Sequence, residues 1–164
     1  MPTSDEQLML EIARGSAPAF ELMVHRWERR MLDFLHRCVG DRTEAEDLRQ
    51  ELFLRVYQKR ASYRPEGRFT SWLYRIAANL AIDKHARRRK LATQSMDDLD
   101  TVQNPPVSNP DRDSRNRAVL GEFEERVFSA LQSIPHEERI ALVLRHFENL
   151  NFKEIAELTD EPES

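Results

Sequence analysis

Phe69-Thr70-Ser71-Trp72-Leu73-Tyr74-Arg75-Ile76-Ala77-Ala78-Asn79-Leu80 places apolar side chains at steps of three and four. Phe69, Trp72, Leu73, Ile76, Ala77 and Leu80 share one face of a helix that continues towards Lys90. The chain has four glycines and no alternating β-branched pattern, so an all-α protein is expected.

The same period extends upstream. Ser4 and Gln7 form a capping-box pair ahead of Leu8, Ile12 and Ala13. Gly15-Ser16 breaks that helix. Phe20, Val24, Trp27, Met31, Leu35 and Val39 then predict a long second helix ending near Gly40. Thr43 with Glu46 reads as the cap of a third, over about 44–60, whose inward face is Ala45, Leu48, Leu52 and Val56 with Phe53 alongside. Tyr63 to Gly67 reads as a turn.

Downstream, residues 93–115 carry Asn104-Pro105-Pro106, Asn109-Pro110 and scattered aspartates, the composition of a flexible linker. A second module is expected over 116–164. Val119, Phe123, Val127, Ala130, Leu131 and Ile134 form one stripe. Pro135 opens the next helix, with Glu137 and Glu138 in its first turn and Ile140, Val143, Leu144 and Phe147 along it. Asn151 with Glu154 caps a short helix bearing Phe152, Ile155, Ala156 and Leu158.

Charge divides the chain differently. Residues 55–90 hold eleven basic and two acidic side chains, net +9, in a protein of net charge −4. A basic block in an acidic chain is a localised polyanion site. Tyr63, Phe69, Trp72 and Tyr74 lie within it, and aromatic rings beside cations offer stacking for unpaired bases; for Trp72, core packing is the competing role. Residues 117–164 carry eleven acids against five bases, net −6, which suits DNA poorly.

Several classes of function find no support. No run of about 18 apolar residues predicts a membrane span. The acidic start at Asp5-Glu6 is unlike a secretory signal, and the single cysteine, Cys38, cannot form an internal disulfide. Together these point to a cytoplasmic protein, with Cys38 a small core residue. The five histidines show no metal-ligand spacing, and there is no glycine-rich phosphate loop or nucleophile motif. Neither an enzyme nor a cofactor is expected.

Three segments carry a family resemblance. Ala45-Glu46-Asp47-Leu48-Arg49-Gln50-Glu51-Leu52-Phe53-Leu54-Arg55-Val56-Tyr57 resembles the polymerase-docking helix of bacterial sigma factors of the extracytoplasmic-function group. Arg68 through Asp83, with the basic cluster after it, is similar to the segment with which that family reads and melts the −10 promoter element. Leu131 to Leu158 resembles the start of its −35-reading module. The resemblance runs from about residue 5 to 164.

It implies a helical bundle at 1–92 (sigma region 2), a flexible linker at 93–115, and at 116–164 a partial region 4 helix-turn-helix cut off before its recognition helix. It implies a promoter-specificity subunit that binds RNA polymerase core through the coiled coil of the largest subunit, with Asp47, Gln50, Glu51 and Leu54 as contacts. Promoter DNA falls to Arg60, Tyr63, Arg64, Arg68, Arg75, Asn79, Lys84, Arg87 and Arg88. Asn79 would read a base edge, the loop 61–68 would help hold a flipped base, and the arginines after Asp83 would hold phosphates. An anti-sigma factor is the further partner. The alternative is a truncated sigma-like interaction protein that occupies polymerase or an anti-sigma factor without starting transcription.

Overall fold

The computed structural model describes residues 2–94 and 115–159, the side chains of 115–120 excepted. Seven α-helices account for nearly all of these residues, with no strand among them. They are α1 (Asp5–Ala13), α2 (Ala17–Val39), α3 (Arg42–Gln58), α4 (Phe69–Gln94), α5 (Arg115–Gln132), α6 (His136–His146) and α7 (Phe152–Thr159). A short 3-10 turn, Arg60–Ser62, follows α3. The all-α expectation holds. Most of the expected linker, and residues 160–164 where the recognition helix was expected to begin, lie outside the described residues.

Local chemistry sets the helix ends. The Ser4–Gln7 capping box forms with both of its hydrogen bonds. Asn151 and Glu154 make the same reciprocal pair at α7. The third helix is capped differently from expectation. Asp41, not Thr43, accepts the Glu44 N–H at 2.8 Å, and α3 starts at Arg42. An aspartate already extended at the cap position satisfies the orphan amide better than a residue inside the first turn.

The core begins between α2, α3 and α4, where Trp27, Phe34, Leu52, Phe69, Leu73 and Tyr74 are buried. It continues without a break into Leu131, Ile140, Val143, Leu144, Ile155 and Leu158. α6 packs on α2 and α4, and α7 on α4 and α6. Cys38 is fully buried, and burial pushes its thiol up, out of the reactive range. Five residues expected on the inward stripes, Ala13, Phe123, Ala130, Phe147 and Phe152, are exposed. Phe123 and Phe152 are among the most exposed large apolar side chains, and the Phe152 ring carries Arg145 over one face.

The turn after α2 decides how α5 meets the bundle. Gly40 has φ +83°, the left-handed end of α2, and its N–H donates to the His36 carbonyl. The last carbonyls of α2 are met from the other half of the chain. Gln132 donates to the Arg37 carbonyl at 3.0 Å, and Arg139 to the Cys38 carbonyl at 2.9 Å. A Cβ on residue 40 would sit 2.4 Å from the Gln132 Oε1, so glycine serves both the backbone angle and this approach.

Candidate nucleic-acid interface

α4 is 26 residues long and buries Phe69, Leu73, Tyr74, Ile76, Ala77, Ala78, Leu80 and Ala81. That anchorage fixes the direction of its outer side chains. Arg75 and Asn79, one turn apart, are exposed, as are Arg87 to Lys90 further along. Arg64 and Arg68 are exposed on the loop before it, and Lys84 is half-buried. A rigid helix thus presents one amide between guanidinium groups. Asn79 can pair with a base edge while the arginines meet phosphates.

The aromatic residues correct the expected stacking platform. Tyr63 is only 6% exposed, and Phe69 and Tyr74 are more deeply buried still. Tyr63 packs edge-on against Phe69 and Trp72, and Tyr74 against Trp27 and Phe34. Their rings hold α4 onto the bundle, and none lies open to a base in this arrangement. Trp72, half-buried against the same cluster, is a core-edge residue. Arg60 lies over the Tyr57 ring, at 4.0 Å from its centroid, and donates to the Tyr57 carbonyl.

α3 carries a second exposed face. Ala45, Leu48, Leu52, Phe53 and Val56 turn inward, leaving Asp47 and Gln50 exposed and Leu54 half open at 50%. Glu51 is paired with Arg55 at 2.9 Å, so it offers less free charge than Asp47. Acid, amide and apolar groups at this spacing form a mixed surface of the kind that docks proteins.

The second half of the chain lies over part of the basic face. Arg68 pairs with Glu154 at 3.6 Å, and Arg75 donates to the Glu157 carbonyl, both on α7. Arg88 is held by Glu44 of α3. Sequence reasoning missed the polar group at the centre of this contact. Glu148 follows α6 and is buried, where it accepts from the Tyr74 hydroxyl and from Arg30 Nε at 2.9 Å. Burial first, and then the hydrogen bond to Glu148, pushes the Tyr74 phenol well above its ordinary range. Asn149, at φ 55°, turns the chain here. Only the Glu-Asn pair after a helix could have signalled it, and that pair reads equally as a solvent loop.

His85 and His136 stack across α4 and α6, ring centroids 4.1 Å apart and planes 8° apart. Among the described residues no cluster of histidine, cysteine and carboxylate could hold a metal ion, and no helix is long and apolar enough to cross a membrane.

Residues 23–91 match the family described as Sigma-70 region 2, which spans most of α2, all of α3 and most of α4. The chain is 34% identical to the RNA polymerase sigma-H factor of Pseudomonas aeruginosa, over 93% of this chain and 80% of the relative. It is 30% identical to the ECF RNA polymerase sigma-E factor of Haemophilus influenzae, over 97% of this chain and 85% of that one. Among solved structures it resembles an engineered region 2 of sigmaE in complex with GTAAAA. That match has TM-score 0.50 and 28% identity, and covers 54% of this chain and 92% of the other. It also resembles CnrH in complex with the cytosolic domain of CnrY, with TM-score 0.65 and 20% identity over 96% of this chain and 84% of the other, a likeness of fold.

Proposed function

The chain belongs to the extracytoplasmic-function (ECF) family of RNA polymerase sigma factors, and from that premise we propose how its helices divide the work. As an ECF sigma factor it directs core polymerase to specific promoters and opens the −10 element. Asp47, Gln50 and Leu54 on α3 form the centre of the polymerase contact, with Glu51 at its margin, and the coiled coil of the largest subunit is their partner. On α4, Asn79 reads a base while Arg64, Arg68, Arg75, Lys84, Arg87 and Arg88 hold phosphates. Tyr63 and Arg60 support the loop that receives a flipped base, Tyr63 from beneath it.

One observation carries this division. The two exposed polar faces, on α3 and α4, stand on a single buried core inside the segment that matches region 2. α7 holds Arg68 and Arg75 in the described arrangement, so promoter reading requires α7 to leave α4. The second reading, a chain that occupies polymerase or an anti-sigma factor without initiating, corresponds to this closed arrangement. We place the protein in the cytoplasm, where its polymerase is, with an anti-sigma factor as the partner that sets when it opens.

Run-off transcription with core polymerase and a promoter library tests the reading. Asn79→Ala should relax base preference at the −10 element by about 1–3 kcal/mol if a paired contact is lost. Arg87→Ala should weaken all promoters alike and flatten the salt dependence. An equal loss on every promoter for Asn79→Ala would remove it from the base-reading role.

A further inference from the structure

A cleft of about 180 Å³ lies where α4 and α6 meet, lined by Val39, His85, Arg88, Gln132, His136 and Arg139. No carboxylate lines it. α4 contributes an imidazole and a guanidinium, and α6 contributes the same pair. Four basic side chains thus converge from two helices on one space that would hold several waters.

The surrounding groups sharpen the imbalance. Both Nη atoms of Arg139 are spent on carbonyl oxygens and on the Gln132 amide, but its Nε is buried with no partner. His136 Nε2 lies 3.1 Å from the Ala81 carbonyl, which accepts, so the neutral ring carries its proton there and leaves Nδ1 bare. The charges facing the two rings are Arg88 and Arg89 from α4 and Arg139 and Glu137 from α6, while Glu44 of α3 pairs with Arg88. Burial, and then its neighbour His85, lowers the His136 imidazole to about 4. Burial, and then Arg89, lowers His85. With three guanidinium groups set against Glu137 and the Arg88-paired Glu44, the two rings relieve the crowding by staying neutral.

We propose that this cleft binds a small tetrahedral oxyanion of the phosphate or sulfate class, held between α4 and α6. The anion adds negative charge beside Arg88 and Arg139 and lets the stacked imidazoles protonate and donate. Because its ligands come from both helices, it draws α6 onto α4. A nucleic-acid phosphodiester carries the same chemistry, but the cleft is lined from both halves of the chain, so the free ion is the occupant. Arg88 is shared with the phosphate-holding role given above, whereas His85, His136 and Arg139 are not, and the test uses neither polymerase nor a promoter.

The test is side-chain NMR of the histidines in the full chain, titrated with sodium sulfate against sodium chloride at matched ionic strength. Sulfate keeps its charge across the range used. Saturable shifts at His85 and His136, with His25 and His146 unmoved, are expected. Binding takes up protons, so affinity should rise, by at most about tenfold per pH unit per proton, as pH falls from about 7.5 to about 6. Arg88→Gln should weaken binding about tenfold or more, read at His136. Glu44→Gln, which frees Arg88 from its ion pair, should strengthen it, and this variant decides the matter if Arg88→Gln fails to fold. Shifts that never saturate or that match chloride would overturn the proposal, as would an affinity unchanged in both variants. Shifts produced by a single-stranded oligonucleotide but not by sulfate would assign the cleft to nucleic acid and overturn the free-ion occupant.

Discussion

Glu148→Gln is the most informative single change in this protein. The Glu148 side chain is 3% exposed and concentrates two donors on one oxygen, Arg30 at 2.9 Å and the Tyr74 hydroxyl. The two contributions differ in size. The Arg30 side chain is 52% exposed, so solvent screens its ion pair to about 1 kcal/mol or less. The Tyr74 contact is buried and charge-assisted, worth about 1.5–3 kcal/mol net. Glutamine keeps the volume and one acceptor but removes the charge, so the loss should be about 1–3 kcal/mol. The assay is urea denaturation in a double-mutant cycle with Tyr74→Phe. The coupling should be about 1 kcal/mol or more, because the two groups act through one hydrogen bond. A coupling below about 0.3 kcal/mol would refute the argument, since independent sites add within that range. Arg30→Gln serves as the contrast and should cost less than either partner.

Three further outcomes follow from the same geometry. Asp47→Ala with Gln50→Ala should weaken binding to core polymerase while leaving the far-ultraviolet circular dichroism unchanged, because both side chains lie outside the buried face of α3. Gly40→Ala should lower stability by about 1–2 kcal/mol in a thermal melt for the left-handed backbone alone, and by more if Gln132 must give up the Arg37 carbonyl. His136 gives a pH dependence. Its imidazole falls from 6.5 in the unfolded chain to about 4 when buried, so the unfolded state binds its proton first. The stability it contributes is complete above pH 6.5 and is lost as pH falls towards 4, by about 3 kcal/mol at most. Denaturation of the wild type and of His136→Gln across that range, in chloride alone, should show a shallower pH slope in the variant.

The parts legible in the sequence are those governed by neighbours in the chain. The Ser4–Gln7 and Asn151–Glu154 boxes and the left-handed Gly40 involve partners within four residues, and they formed as read. The buried face of α3 followed from period alone. Aromatic placement did not. Tyr74 sits one position past the Leu73 stripe, where the period allows either face, and Trp27 and Phe34 of α2 settle it inward. Phe123 and Phe152 continue their stripes in sequence but sit where no described helix covers them. Glu148 and Arg139 were invisible for another reason. Their partners Tyr74 and Cys38 stand 74 and 101 residues away, and no local pattern encodes such pairs.

These long-range polar contacts bear on the proposed opening. The links from α7 to the basic face, Arg68 to Glu154 and Arg75 to the Glu157 carbonyl, are exposed and each worth about 1 kcal/mol or less. On the proposed reading, promoter phosphates would compete for both arginines, since they carry denser charge than a single carboxylate. The contacts of α6 with α2 and α4 are of another kind: Glu148 against Tyr74, Arg139 on the end of α2, and His136 on the Ala81 carbonyl are buried or partly buried. On that reading, opening parts α7 from α4 at the cost of its two exposed polar links and of the burial of Ile155 and Leu158. The buried polar contacts of α6 resist it further. An anion in the cleft would act on the resistant contact, while DNA would act on the yielding one. On the proposed reading the two ligands would bear on opposite ends of a single equilibrium, and salt would shift it differently according to which anion the buffer holds.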